Sequence, residues 1–495
     1  MLYSAHCLLY WASRRTGQPG SLGHNAAARR KSRLSATGLT VPSLGTGEVS
    51  DGPGSPTGPK RPVGSKLALQ VRRRRVIETA WLAIKRNART SKSKDTRDEI
   101  AAFEADLASN LRRLSRELQQ HRFVFPPARG VKIPKDKKNK TSFRPLVVAK
   151  VESRIVQRAV HDVLVSVPAI QKFVNTPYSF GGIKKRQEDE LAAVPAAIRA
   201  VLDGIGSGAK FVIRSDIEKF FTRIPKSAVT EIVAGVVEDE EFTELFTRSI
   251  AVELENMAQL REHANAFPIE DIGVAQGNSL SPLLGNLFLY DFDSKLNMRP
   301  DVRCIRYIDD FIILAPTKEL AENTFAKAKR MLEKLGMSAS PDKTQRAAIE
   351  AGFEFLGIDL SNGFIRPTKK AQERVLASIE STLNESRIAF REHNRTGELP
   401  NAQSLLGSLR KVAGIMQGWG KHYRFCNDSK CFERLDLRVE NLIRTYLSVY
   451  REERGRSDDA GRWRLLGIEA FAQIKREPFA WPRKAGHLPL VGNGN

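Results

Sequence analysis

Arg306-Tyr307-Ile308-Asp309-Asp310-Phe311-Ile312-Ile313-Leu314 decides the reading of this chain. Two adjacent carboxylates stand inside an apolar run, where their mutual repulsion is best offset by a multivalent cation. The flanks, Val302 to Arg306 and Phe311 to Ala315, are rich in β-branched and aromatic residues. They predict two short strands with the acidic pair at the turn between them. An isolated Asp-Asp is by default the polar end of an exposed hairpin. Here a second apolar run, Phe211-Val212-Ile213-Arg214-Ser215, ends at Asp216, so a third carboxylate can meet the pair across one sheet. Three converging carboxylates suit two Mg²⁺ ions ~3.5–4 Å apart, which stabilise the attacking and leaving oxygens of an in-line phosphoryl displacement.

Between the two acidic strands lies Gly273-Val274-Ala275-Gln276-Gly277-Asn278-Ser279-Leu280-Ser281-Pro282-Leu283-Leu284, a polar loop running into an apolar helix. Asp342-Lys343-Thr344 and Phe355-Leu356-Gly357-Ile358 follow. In this order the set resembles the palm motifs of reverse transcriptases, specifically bacterial group II intron-encoded enzymes and their free-standing relatives. Ile133-Pro134-Lys135, Phe143-Arg144-Pro145-Leu146, Ser153-Arg154-Ile155-Val156-Gln157 and Tyr178-Ser179-Phe180-Gly181 are similar to their fingers. Gly418-Trp419-Gly420-Lys421-His422-Tyr423-Arg424 and Phe432-Glu433-Arg434-Leu435-Asp436 resemble their maturase-type thumb. The likeness covers about residues 97 to 450. Three departures lean toward a free-standing relative. Ala275-Gln276-Gly277-Asn278 stands where intron enzymes usually have Pro-Gln-Gly-Gly, Ser153-Arg154 where they often have Asp-Arg, and Ile308 where they typically place Ala.

The resemblance implies RNA-directed DNA synthesis, with dNTPs joined to a primer 3′-hydroxyl on an RNA template. Asp216 and Asp309 would bridge two Mg²⁺ ions, with Asp310 completing the set and the Ile217 carbonyl adding a ligand. Phe221, five residues after Asp216, matches the family's sugar gate, whose ring collides with a ribose 2′-hydroxyl. Gln276 and Gly277 would line the nascent base pair, Gly by permitting close backbone approach and Gln by donating to minor-groove acceptors present on every pair. Arg144, supported by Lys135, would clamp the triphosphate through its bidentate fork. Lys343 would protonate pyrophosphate. Arg154, Arg410, Lys411, Lys421 and Arg424 are expected along the nucleic-acid backbone. Trp419, Tyr423 and Phe425 are read as thumb core.

Charge agrees. The 495 residues carry 80 Lys and Arg against 56 Asp and Glu, a formal net charge of +24, so a polyanionic partner is expected. Cys7, Cys304, Cys426 and Cys431 do not make a disulfide framework, which places the chain in a reducing cytoplasm. Cys426 and Cys431 beside His422 lack the second ligand pair that zinc would need. No apolar run approaches the ~18 residues that span a bilayer.

The expected fold is α+β, a right hand with an antiparallel palm sheet, mixed fingers and a helical thumb. Residues 1–66 are Gly-, Ser- and Pro-rich and are expected to be a disordered basic tail. An N-terminal extension and fingers follow over 67–205. Apolar spacing there predicts helices from Leu67 to Leu118, with Arg72 to Arg75 as a basic cluster facing RNA. The palm is placed at 206–365 and the thumb at 366–450. In the thumb, helices are expected over Thr368 to Ala389 and Ala402 to Met416, separated by a loop from Glu392 to Pro400. A short appendage, 451–495, holds Trp463, Phe471, Phe479 and Trp481. Beyond Tyr423 the remaining histidine is His487, so no endonuclease constellation is expected.

Two other function classes compete. One is an intron-splicing maturase or RNA scaffold, the other an RNA-dependent RNA polymerase. The acidic triad argues against the first as sole role and the aromatic Phe221 against the second. Phage defence, DNA repair and service to a dedicated noncoding or intron RNA are the settings the resemblance offers. Oligomeric state is not legible.

Overall fold

The β-branched runs pair largely as their periodicity predicts. In the computed structural model, the described residues are 66–481 apart from 90, 92, 135–142, 183–190 and 192. They divide into two units, one of residues 66–176 with 219–291 and one of 177–218 with 292–481. The contiguous palm expected over 206–365 is therefore split: residues 219–291 cluster with the N-terminal helices, helix Glu240–Ile250 packing on helix Val151–Ser166. The expected tail, apart from Lys66, and residues 482–495 lie outside the described residues.

In the first unit, helices Lys66–Arg72, Arg74–Ala88, Lys94–Ala105 and Leu107–Gln119 fill the Leu67 to Leu118 stretch. Their apolar faces bury Ile77, Leu111 and Leu114, with the Trp81 and Phe103 rings 4.9 Å apart. The basic cluster needs correction. Arg72 is buried and its guanidinium pairs with Glu241, so three arginines, 73 to 75, face solvent. Strands β1 (Arg129–Pro134) and β2 (Phe143–Val148) form an antiparallel hairpin with Ile133 opposite Arg144. Helices Val151–Ser166, Lys226–Val237 and Glu240–Ile250 complete this core around Ile155, Val233, Phe242 and Phe246.

The second unit is built on an antiparallel sheet in the order β4-β5-β3-β6, where β3 is Phe211–Asp216, β4 Arg303–Tyr307, β5 Asp310–Ala315 and β6 Gln345–Ala348. The central strand β5 buries Phe311 to Ala315 completely, since both its faces are covered. Ile312 and Leu314 join Val212 and Ile305 against helix Ala193–Gly206. The alternate residue Phe311 lies between Phe292, at 5.8 Å, and Phe325 of helix Lys318–Lys334, at 6.4 Å. A meander follows of β7 (Phe353–Phe355), β8 (Ile358–Ser361) and β9 (Phe364–Pro367). Its first turn, Leu356-Gly357, has φ 52 and 80, and its second, Asn362-Gly363, has φ 52 and 74. Positive φ at both central residues is the two-residue turn that matches strand twist.

Four helices close the thumb: Lys369–Thr396, Leu405–His422, Ser429–Arg456 and Asp459–Leu466. Thr368, Ser404, Asp428 and Asp458 cap them, each side chain accepting an amide hydrogen from the third residue on. The first helix runs past the expected loop start at Glu392 to Thr396, ending where Gly397 takes φ 76. The thumb also extends beyond 450, because Tyr450 and Leu465 belong to the core that holds Phe390, Val412 and Tyr446. Among the expected appendage aromatics, Phe471, Phe479 and Trp481 are exposed and Trp463 partly so. No helix of the described residues is long and apolar enough to cross a membrane.

Candidate active site

The hairpin β4–β5 carries the acidic pair as expected, with one refinement: Asp310 is the first residue of β5, and the turn is Ile308-Asp309. Asp216, last in β3, stands directly opposite Asp310 in the register. The Ile217 N–H donates to the Asp309 carbonyl at 2.9 Å, so all three acidic positions meet at one end of the sheet. Beside Ile217 the cross-strand bonds run from Glu218 N–H to the Ser338 carbonyl and from Ser340 N–H to the Asp216 carbonyl. The Ile217 carbonyl takes no part in those two bonds.

This cluster is short of positive charge. Burial, then the neighbouring carboxylates of Asp310 and Asp216, push the Asp309 carboxyl up to about 6. Burial raises Asp310 as well, against the opposing pull of Arg214, whose Nη2 lies 3.7 Å from Asp310 Oδ1. Asp216 is served by Lys343, whose Nζ donates to Oδ2 at 2.8 Å. The 340–344 segment is further tied to β3 by a Ser215–Thr344 hydroxyl bond of 2.8 Å. Arg214 escaped the sequence reading, although its signal was there: by the two-residue period it shares a face with Asp216.

Among the described residues, no three His, Cys, Asp or Glu side chains close into a finished metal cage. The donor chemistry nonetheless fits a hard divalent cation. These are oxygen ligands only, crowded so that one carboxyl already resists ionisation, and a cation would relieve that repulsion.

Three of the nucleotide-binding candidates gather in the other unit around one short segment. The Val274 N–H donates to the Phe221 carbonyl at 2.7 Å, and Val147 N–H donates to the Gln276 carbonyl at 3.1 Å. Gln276 bridges Leu146, two residues beyond Arg144 on β2. Phe221 is buried, its ring 5.0 Å from that of Phe220. Asn278 earns its place in the loop: its amide donates to the Ser249 carbonyl at 3.2 Å and its oxygen accepts Leu280 N–H at 2.9 Å. Lys135 lies outside the described residues.

The expected nucleic-acid contacts divide. Arg154 is largely covered and its Nη2 donates to Glu99 Oε2 at 2.8 Å, while Glu99 Oε1 accepts the Val151 N–H. In this structure the guanidinium is engaged with the carboxylate that receives a helix start. Arg410 and Lys421 are exposed on helix Leu405–His422, in the same helical register as Gly414 and Gln417. Lys411 reaches Glu385 at 3.4 Å, and Arg424 is exposed. Tyr423 is buried and packs 4.5 Å from Trp419, as core. Phe425 packs partly buried against the palm-side core. Cys304, Cys426 and Cys431 are free thiols.

A family model described as reverse transcriptase (RNA-dependent DNA polymerase) matches residues 133–360, from β1 through β8. Residues 133–360 are a reverse transcriptase domain. That domain is of the group II-like kind, and its family is that of RNA-directed DNA polymerases. The chain is 27% identical to the Escherichia coli protein YkfC, over 52% of this chain and 72% of that one. It is 26% identical to a putative COX1/OXI3 intron 2 protein of Saccharomyces cerevisiae, over 38% of this chain and 20% of that one. The chain thus spans about a fifth of the intron protein's length. A solved structure, apo telomerase from Candida tropicalis, matches at 15% identity with a TM-score of 0.35 over 49% of this chain and 55% of that one.

The reverse transcriptase domain takes in the acidic cluster and the Phe221, Gln276 and Gly277 segment, and leaves the thumb outside. Gly277 gives a direct check on that segment. It has φ +111, and a Cβ there would lie 3.0 Å from the Val147 carbonyl oxygen. Gly277→Ala is expected to lower stability by about 1–3 kcal/mol in urea melts and to slow dNTP incorporation with it. A variant with wild-type stability and rate would show that the close approach is not needed.

Proposed function

We propose that this protein extends a primer 3′-hydroxyl with dNTPs on an RNA template, using two Mg²⁺ ions held by Asp216, Asp309 and Asp310 with the Ile217 carbonyl. The observation that carries the reading is the register: Asp216 opposite Asp310, with Asp309 bonded through its carbonyl to Ile217 N–H. When bound, the ions supply charge neutralisation at the attacking and leaving oxygens. The chain's own residues do the rest by placement. Asp216 is held at the strand end by Ser340 N–H, and Lys343 donates to its Oδ2 at 2.8 Å, so Oδ1 would be the oxygen offered to a cation. Lys343, 59% exposed, is then a donor close to the departing pyrophosphate. Arg144 offers a planar fork for the triphosphate, and Gln276 and Gly277 read pair geometry without reading sequence.

Phe221 serves as the sugar gate. In the experiment that tests it, Phe221→Ala is expected to raise rNTP incorporation relative to dNTP by about tenfold or more, the scale on which a steric pocket discriminates one added group. An unchanged ratio in a folded variant would reject the gate.

The enzyme is further proposed to work outside an intron, a reading supported by Asn278, whose amide serves the loop where intron enzymes usually have Gly. Its partners are an RNA template, a primer and a dedicated noncoding RNA, bound in the cytoplasm, with phage defence as the proposed setting. Sequencing the RNA that co-purifies with wild type separates these: one noncoding RNA supports the free-standing reading, and an intron RNA supports the maturase instead.

A further inference from the structure

Arg306 and Asp293 form an ion pair whose side chains are 0% and 2% exposed. Taking two charges out of water costs several kcal/mol per ion, and an apolar pair of equal volume is often no less stable. Stability alone therefore does not account for a guanidinium here; its hydrogen bonds do. Nε and Nη2 grip the two Asp293 oxygens at 2.8 and 2.5 Å, and Nη1 donates to the Ile308 carbonyl at 2.9 Å.

Ile308 has φ 62 at the first central position of a two-residue hairpin turn, where glycine is favoured. A β-branched residue stays in that conformation only where its surroundings over-determine it. The surroundings do so from three sides. The side chain of Arg306 holds the Ile308 carbonyl. The Arg306 backbone is held by the preceding segment, its N–H donating to Tyr178 at 2.8 Å and its carbonyl accepting Phe180 N–H at 3.0 Å. Gly181 then passes so close that a Cβ on it would lie 2.3 Å from Ile308 Cγ1 and 2.7 Å from Ile308 N. The next residue along the chain is Asp309.

We propose that Arg306, fixed by Asp293, and Gly181 are positioning residues that hold Ile308 in its left-handed conformation and so set where Asp309 presents its carboxylate. The inference rests on the reading of Asp309 as a metal ligand. The pair replacement Asp293→Leu/Arg306→Met removes both charges at similar volume. It is expected to melt close to wild type and to bind primer–template as wild type does. Amide hydrogen exchange at residues 307–311 is expected to run about tenfold faster, while the centre of β3 is unchanged. The Mg²⁺ concentration for half-maximal incorporation is expected to rise about tenfold, the scale on which an orienting group affects a metal site.

A folded pair variant with wild-type exchange at 307–311 and a wild-type Mg²⁺ midpoint overturns the proposal. If that variant does not fold, Gly181→Ala leaves the ion pair intact and must show the same two changes; wild-type values in it overturn the proposal equally. Should wild type itself fail to incorporate dNTPs, the polymerase reading fails, and the exchange readout still judges the turn on its own.

Discussion

Asp309→Ala is expected to reduce dNTP incorporation by about 10³-fold or more, the scale of losing one preorganised electrostatic group that acts on the transition state. Primer–template binding is expected to stay near wild type, because backbone contact comes from cationic surface. The same variant carries a signature in stability. The Asp309 carboxyl is pushed up to about 6, so the folded protein holds its proton more tightly than the unfolded chain does. The sign follows: no penalty below the ordinary carboxyl range near 4, a rising one between there and 6, and the full cost above 6. That cost is on the order of 1–3 kcal/mol. In metal-free buffer at pH 8 Asp309→Ala should therefore melt higher than wild type, and the gap should shrink toward pH 5. Mg²⁺ should raise the wild-type melting temperature more at pH 8 than at pH 5, since at low pH the ion competes with a proton. A variant that melts lower than wild type at pH 8 would recast Asp309 as a structural residue.

Phe311→Ala has the largest effect expected on the fold. Phe311 is wholly buried and immediately follows Asp310, with Phe292 on one side and Phe325 on the other. Truncation leaves a cavity under the acidic cluster that the neighbouring rings cannot fill without leaving their own packing. The expected loss is about 3–5 kcal/mol in urea unfolding of the unit that contains it. Activity should fall through loss of folded protein, with the Mg²⁺ midpoint of the remainder close to wild type. Phe311→Leu, which keeps most of the volume, should recover the larger part of the stability. Equal losses in both variants would mean that the site has already collapsed around a smaller side chain.

What was legible in the sequence was local. Strand β3, the hairpin around Asp309 and Asp310 and the helix that opens at Ser281 each announce themselves through a period or a turn residue within a few positions. The thumb helices were legible in kind and misjudged in length, since Glu392 to Thr396 is polar on its exposed side and still helical until Gly397 stops it. What was not legible depends on pairing across long stretches of chain. Lys343 meets Asp216 from 127 residues away, and nothing local to a solvated loop lysine says so. Arg72 reads as one of four surface arginines until Glu241 covers it. Arg306 sits at a strand position where base rates put charge in solvent, and only its partner Asp293 explains its burial. The allegiance of 219–291 to the N-terminal helices is of the same kind.

The sheet order has a consequence for how the chain is made. Strand β3 pairs with β5 and β6 alone, and its last residue, Asp216, precedes the first of β5, Asp310, by nearly a hundred residues. At translation rates of about 5–20 residues per second, β3 waits roughly 5–20 s outside the ribosome before a partner strand exists. Through that interval both its edges are open to pairing with another nascent chain. Arg214 and Asp216, opposite charges two residues apart on one face, are the charged breaks in a strand that opens with Phe211-Val212-Ile213. The charges that serve the finished site therefore also guard the unfinished one against aggregation.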